Sequence, residues 1–156
     1  MAMPSDMQDL YVRSLEAQRQ YVSLKARFDR DPRVRAVSAR GPLMARDAAR
    51  AHVDRVLGKS RAGSSRAGLA ILSSVEAPIN CDDIALAINY TDVDYRSAQT
   101  AQTTALNDIF DLSAVGDLGG AANAYMEWRS ASIDIIFLQT ELGFLASMYS
   151  GYGCWN

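Results

Sequence analysis

Asp92 and Asp94 have the spacing of a carboxylate pair that could bind a divalent metal ion, and Asp82-Asp83 lies nearby in the sequence. Carboxylate oxygens are ligands that such ions prefer. The alternative is a capping box formed by Thr91 and Asp94, because acidic residues in the first turn of a helix interact favourably with its dipole. We favour the capping interpretation and predict neither a metal ion nor a cofactor.

Phosphate binding and general-base catalysis each have one candidate in the sequence. Gly58-Lys59-Ser60 resembles the end of a phosphate-binding P-loop, but that motif requires glycine where the chain has Val53. The single histidine, His52, could act as a general base. No nucleophile stands near it in the sequence, so we predict a solvated position on a basic helix. The sequence therefore predicts a protein that is not an enzyme.

The charged residues are sorted along the chain. Residues 1–66 contain twelve Arg and two Lys against seven acidic residues, a net charge of +7, whereas residues 67–156 contain two Arg against eleven acidic residues, a net charge of −9. This asymmetry suggests a polyanionic partner, or a complementary surface on another copy of the chain. The planar guanidinium of arginine suits phosphate. The candidate nucleic-acid-binding residues are Arg33, Arg35, Arg40, Arg46, Arg50, Lys59, Arg61 and Arg66.

The basic half contains no module that reads bases. Zinc-finger spacing and the signatures of RRM and KH domains are not found, and aromatic residues do not alternate with the cations. Any nucleic acid would thus be bound through its backbone, without sequence preference. The alternative is that the cations balance the acidic half within the folded domain.

Three acidic residues recur every seven positions in the last predicted helix. This spacing keeps Glu127, Asp134 and Glu141 close to one face, with a drift of about 20° per step. The stripe is either solvated or docks arginines, from this chain or from a neighbouring subunit. The rest of the helix is too apolar to remain exposed, so we predict subunit contacts there. The predicted contact residues are Glu127, Asp134, Glu141, Trp128, Ile136 and Phe144.

Apolar periodicity predicts an all-α fold, a helical bundle of five or six helices. The predicted helices run from Ser5 to about Phe28, from Gly41-Pro42 to Leu57, and over about 80–89, 92–112 and 121–150. Between the first two, Asp31-Pro32 either breaks the helix or starts a new one. A mobile basic Gly/Ser/Arg loop is predicted near 58–68, and 69–75 is left open as helix or strand. Residues 1–156 are predicted to form a single domain, with a basic helical half (1–66) and an acidic, apolar helical half (67–156).

The two cysteines, Cys81 and Cys154, are predicted to be a small core residue and a tail residue, with a disulfide between them as the alternative. No apolar run approaches the roughly 20 residues that span a bilayer. The first residues also lack the layout of a secretion signal. We therefore predict a soluble protein without a membrane span, either cytoplasmic or within a virion or other assembly.

These patterns favour a non-enzymatic, self-assembling structural protein. Its Arg-rich half would coat or package nucleic acid, and its apolar half would form contacts with further copies in a homo-oligomer or filament. In size, helicity and charge layout the chain resembles the small all-helical coat proteins of rod-shaped and filamentous viruses, which implies a capsid protein of a virion. The alternative is a helical adaptor or regulatory subunit with no nucleic-acid role, whose arginines pair with the acidic residues of the same subunit.

Overall fold

Five α-helices make up most of the computed structural model, which describes residues 5–40, 45–58 and 79–155. In chain order they are α1 (Ser5–Asp29), α2 (Pro32–Ala39), α3 (Arg46–Leu57), α4 (Cys81–Ala114) and α5 (Leu118–Gly151). Since the described residues contain no strand, the predicted all-α bundle is confirmed. Apart from Gly58, the basic loop predicted near 58–68 lies outside the described residues, as does the segment 69–75.

Two helix boundaries follow the local signals in the sequence. Asp31 caps α2 by accepting a hydrogen bond from the backbone N–H of Val34 at 3.2 Å, and Pro32 is the first helical residue. Gly58 ends α3 with a φ of 77°, a left-handed conformation that favours glycine. Both signals depend on only a few neighbouring residues, which is why they can be read from the sequence.

Two other predicted boundaries are wrong. The range Cys81–Ala114 is one continuous helix, and Thr91 is fully buried in its middle instead of capping a new helix. Gly120, predicted in a loop, lies in the first turn of α5, where its N–H donates to Asp117 Oδ1 at 2.9 Å. A Cβ at this position would lie 2.6 Å from Asp117 Oδ2. Glycine therefore allows the carboxylate to reach the start of α5.

A seam of residues spaced three and four apart along α1 faces the interior. Its members, which are buried or half-buried, are Met7, Leu10, Ser14, Ala17, Tyr21, Leu24 and Phe28. The apolar residues Leu15 and Val22 flank this seam, but they are 46% and 59% exposed. The core-facing stripe of α1 is therefore narrower than its composition suggests.

The described residues form two compact units. Unit 1 contains residues 5–23 and 92–141, and unit 2 contains residues 24–40, 45–58, 79–91 and 142–155. The long helices α1, α4 and α5 contribute segments to both units. Each unit consequently takes residues from both the basic and the acidic half of the sequence.

The core of unit 1 is built around Trp128, which packs with Met7 and Ala105 and is fully buried. The rings of Tyr11 and Tyr125 stack against it, with centroid distances of 6.5 Å and 6.2 Å. Such aromatic pairs contribute about 0.5–1.5 kcal/mol beyond the area that they bury. Trp128 therefore holds segments of α1, α4 and α5 together within this unit.

The core of unit 2 joins α1, α5 and the residues that follow α5. Phe28 packs edge-on against Tyr149 at 5.8 Å and stacks on Trp155 at 4.7 Å. A disulfide between Cys81 and Cys154 ties the first residue of α4 to the segment after α5, with their Cα atoms 5.5 Å apart. The prediction of two unpaired cysteines is therefore wrong, and the alternative of a single bridge is the one observed.

Candidate functional site

The two units carry opposite net charges. The described residues of unit 1 contain four Arg against eleven acidic residues, a net charge of −7. Those of unit 2 contain eight Arg and one Lys against six acidic residues, a net charge of +3. The charge separation in the sequence thus persists in the folded chain, although its boundaries differ from those of the two sequence halves.

Three of the predicted nucleic-acid-binding residues are exposed on unit 2 and make no ion pair with another described residue. Arg35 lies on α2, Arg40 directly follows it, and Arg46 begins α3. None of the three has an acidic partner within the described part of the chain. All three residues are exposed. Lys59, Arg61 and Arg66 lie outside the described residues.

Other arginines of unit 2 are paired internally. Arg33 Nε lies 3.9 Å from Asp82, and an Arg55 nitrogen lies 3.7 Å from Asp83, so both contact the first turn of α4. Arg50 pairs with Asp54 on its own helix at 3.2 Å. The contacts of Arg33 and Arg55 join the basic and acidic sequence halves, as the adaptor alternative predicts. Of the predicted nucleic-acid-binding residues, Arg33 and Arg50 are therefore paired within the chain.

An open groove with a volume of about 590 Å³ lies on unit 2. Its exposed apolar wall includes Pro32, Ala36 and Ala39. Lys25 and Arg35 also line it. The volume falls within the range of roughly 300–1,000 Å³ that is typical of ligand pockets. The groove combines an apolar surface with positive charge.

Large apolar side chains are exposed on α5. Phe137 and Phe144 are 64% and 57% exposed, and their seven-residue spacing puts them on the same side of the helix. Met126, eleven residues before Phe137, projects in nearly the same direction and is also exposed. Phe144 was among the predicted subunit contacts. Phe137 was not, although its spacing from Phe144 would have revealed it.

The other predicted contact residues differ in their accessibility. Glu127 and Asp134 are exposed and make no ion pair with any described residue. Ile136 is half-buried. Trp128 and Glu141 are buried within the chain, so the seven-residue acidic stripe does not stay accessible along its whole length. Of the six predicted contact residues, Glu127, Asp134 and Phe144 are therefore exposed.

Asp134 lies in a locally acidic environment. Partial desolvation and then the charge of Asp94 raise the pKa of its carboxyl above the ordinary value. A cation placed beside Asp134 would relieve this unfavourable interaction.

The length and composition of α5 also meet the criterion for a membrane-spanning helix. Its most apolar window has a mean hydropathy of 1.3, and 39% of that window is buried within the protein. The core helix of a soluble protein can meet the same criterion. Here α5 buries Trp128, Leu142 and Tyr149 in protein interiors.

Asp92, the candidate metal ligand, is buried and hydrogen-bonded. Its Oδ1 accepts from the Tyr21 hydroxyl at 2.9 Å, and its Oδ2 lies 2.9 Å from Arg96 Nε. In the described ranges no group of three or more His, Cys, Asp or Glu side chains could hold a metal ion. Burial, followed by the Asp92 carboxylate, raises the pKa of Tyr21, and the same two causes raise the pKa of Tyr95 to about 12. These features serve the packing of unit 1.

His52 is buried, so the prediction of a solvated position is wrong. Its Nε2 lies 2.9 Å from the backbone oxygen of Asp83, and its ring meets Tyr90 edge-on at 6.2 Å. These contacts place His52 in the packing between α3 and α4.

Comparison of the chain with protein-family models, curated proteins and solved structures finds no match.

Proposed function

We propose that the chain is a non-enzymatic structural protein that assembles with further copies of itself through α5. The observation that carries this proposal is the exposed aromatic face formed by Phe137 and Phe144. Fully burying a phenylalanine side chain contributes roughly 1.5–3 kcal/mol. Leaving two rings in water on an already apolar helix therefore favours a contact that covers them.

Light scattering over a range of protein concentrations tests this proposal. We expect the mean mass of the wild-type protein to rise with concentration. The variant F137S/F144S should remain monomeric at concentrations where the wild type assembles. F110S is the matched control, since Phe110 is 60% exposed but lies on α4. A wild type that stays monomeric throughout would contradict self-assembly.

A second candidate function, coating of a nucleic-acid backbone, is favoured by three exposed arginines of unit 2, Arg35, Arg40 and Arg46, which make no ion pair with another described residue. Lysine and arginine that neutralise phosphates release counterions, which makes binding depend on salt with a log–log slope of about −0.9 per phosphate on duplex DNA. Arg35, Arg40 and Arg46 would thus contribute about −2.7 to that slope. This function and self-assembly together correspond to a coat or packaging protein.

Binding of labelled random-sequence duplex and single strands across a salt series tests the second candidate. The variant R35A/R40A/R46A should bind more weakly, with a slope reduced in magnitude by about 2.7. R13A/R19A/R129A removes the same charge from exposed positions of unit 1 and should have a smaller effect. If the wild type binds no nucleic acid at low salt, this second candidate function fails and the adaptor alternative is favoured.

A further inference from the structure

We infer that the acidic aromatic surface of α5 in one copy docks into the groove of unit 2 in another copy. Phe137 would enter the apolar part of the groove, and Asp134 would pair with Arg35 of the second copy. This inference rests on the proposed self-assembly and identifies the contact that would produce it.

The projecting surface is defined by two neighbouring residues of α5. Asp134 lies three positions before Phe137, so the two side chains are adjacent on the helix surface. Both are exposed, and Asp134 makes no ion pair with another described residue. A phenyl ring and an unpaired carboxylate therefore project from unit 1 together.

The receiving surface has the opposite charge and a matching apolar lining. The apolar residues Pro32, Ala36 and Ala39 line the groove and are exposed, and Arg35 is exposed and makes no ion pair with another described residue. Asp29 also lines the groove, but it forms an ion pair with Lys25 on the same helix. The charge that the groove offers to an incoming carboxylate is therefore that of Arg35.

The two surfaces complement each other in polarity and in sign. The ring would leave water for an apolar wall, and the carboxylate would exchange repulsion from Asp94 for a charge-assisted pair with Arg35. The opposite net charges of the two units would also steer this encounter. These properties favour a second copy of the chain over an acidic or neutral partner.

The contact is heterologous, because each copy supplies the projecting surface on one unit and the groove on the other. Such contacts generate a ring if the rotation closes and a filament if it does not. The same Arg35 is a candidate contact for nucleic acid, so the two ligands would compete for it. Within an assembly, the nucleic-acid backbone would therefore be bound through Arg40 and Arg46.

A charge exchange between Asp134 and Arg35 tests the contact. Each single variant, D134R or R35D, should weaken self-association by about tenfold or more, because it places like charges opposite each other. The double variant D134R/R35D should return to within about threefold of wild type, since the pair is re-formed in reverse. D111R makes the same charge change at an exposed acid of α4 and should not weaken association.

The possible outcomes separate this contact from self-assembly itself. If the wild type assembles but the double variant is no better than the single variants, the contact is overturned while self-assembly remains. If the wild type is monomeric at every concentration, both proposals fail. Cosedimentation of the monomer with phospholipid vesicles, lost in F137S/F144S, would assign the face to a membrane and would also overturn the contact. Far-UV circular dichroism checks that all variants keep their helicity.

Discussion

The hydroxyl of Tyr149 donates a hydrogen bond to Asp31 Oδ2 at 2.6 Å, although 118 residues separate the two in the sequence. Both side chains are buried in unit 2. Asp31 also caps α2 through the N–H of Val34. The orientation of α2 within this unit is thus tied to α5, and α2 carries the groove residue Arg35.

The variant Y149F tests this link. It removes the donor and leaves the ring, so the buried carboxylate of Asp31 loses one hydrogen bond. We expect the free energy of unfolding, measured by urea denaturation, to fall by about 1–3 kcal/mol. Y152F is the control, since the Tyr152 side chain is exposed and its loss should change the value by less than about 0.5 kcal/mol. Equal stability of the two variants would contradict the assigned role of Asp31.

Three buried tyrosines should make the folded protein less stable at alkaline pH. Burial is the largest cause that raises the pKa values of Tyr21, Tyr95 and Tyr149 above about 10. As pH rises past 10, the unfolded chain loses these protons before the folded one does, so stability falls with increasing pH. The loss is up to about 1.4 kcal/mol per pH unit for each tyrosine.

Ultraviolet difference spectroscopy measures this titration directly. We expect the phenols of Tyr21, Tyr95 and Tyr149 to ionise only together with the loss of helicity seen by circular dichroism. The total tyrosine absorbance change should therefore stay incomplete as long as the protein remains folded. Ionisation of all seven tyrosines of the chain before unfolding would show that the three phenols are not protected by burial.

The disulfide should contribute substantially to stability. Cys81 and Cys154 are 73 residues apart in the sequence, so their bond restricts a long loop in the unfolded chain. Removal of such a bond typically costs about 2–5 kcal/mol. We expect C81S/C154S to lose a comparable amount of unfolding free energy, measured by denaturation against oxidised wild type.

Reduction provides the control for this prediction. A dithiol should lower the stability of the wild type to that of C81S/C154S and should leave the variant unchanged. A reduced wild type as stable as the oxidised protein would contradict the prediction. Disulfides persist mainly in oxidising compartments, so a bond that is present when free thiols are blocked at lysis would also argue against the reducing cytoplasm.

The sequence was most informative where a feature depends on local spacing. The seam of α1 alternates in steps of three and four residues, and the Asp31-Pro32 pair defines its own cap, so both could be predicted. Phe144 is exposed and Trp128 is buried on the same helix, although both were grouped as predicted contacts. Because large apolar residues lie on all sides of α5, its composition does not reveal which side faces the interior.

Contacts between distant segments could not be predicted in this way. Thr91 has the residue type of a cap, but it is enclosed in the middle of α4, where tertiary packing overrides its local preference. His52 stands among charged residues in the sequence, yet its ring is buried against α4. Likewise, Arg33 and Arg35 are two residues apart, and only their surroundings make one paired and the other available.

The side chain of Gln102 makes three hydrogen bonds in the interior of unit 1. Its Nε2 lies 3.0 Å from both Ser14 Oγ and Ser132 Oγ, and its Oε1 accepts from Gln18 Nε2 at 3.3 Å. The side chain therefore joins α4 to α1 and α5 inside this unit. Buried networks of this kind fix the packing of helices when all their members are satisfied.

Substitution of Gln102 with leucine should lower the free energy of unfolding by about 1–3 kcal/mol, because Leu keeps most of the volume and removes three hydrogen bonds. The cost is limited because Ser14 and Ser132 still donate to backbone oxygens of their own helices. Q99L is the matched control, since Gln99 is half-buried and makes a single weaker bond of 3.4 Å. Chemical denaturation of the two variants under identical conditions provides the comparison. If Q102L were as stable as Q99L, the network would not determine how these helices pack.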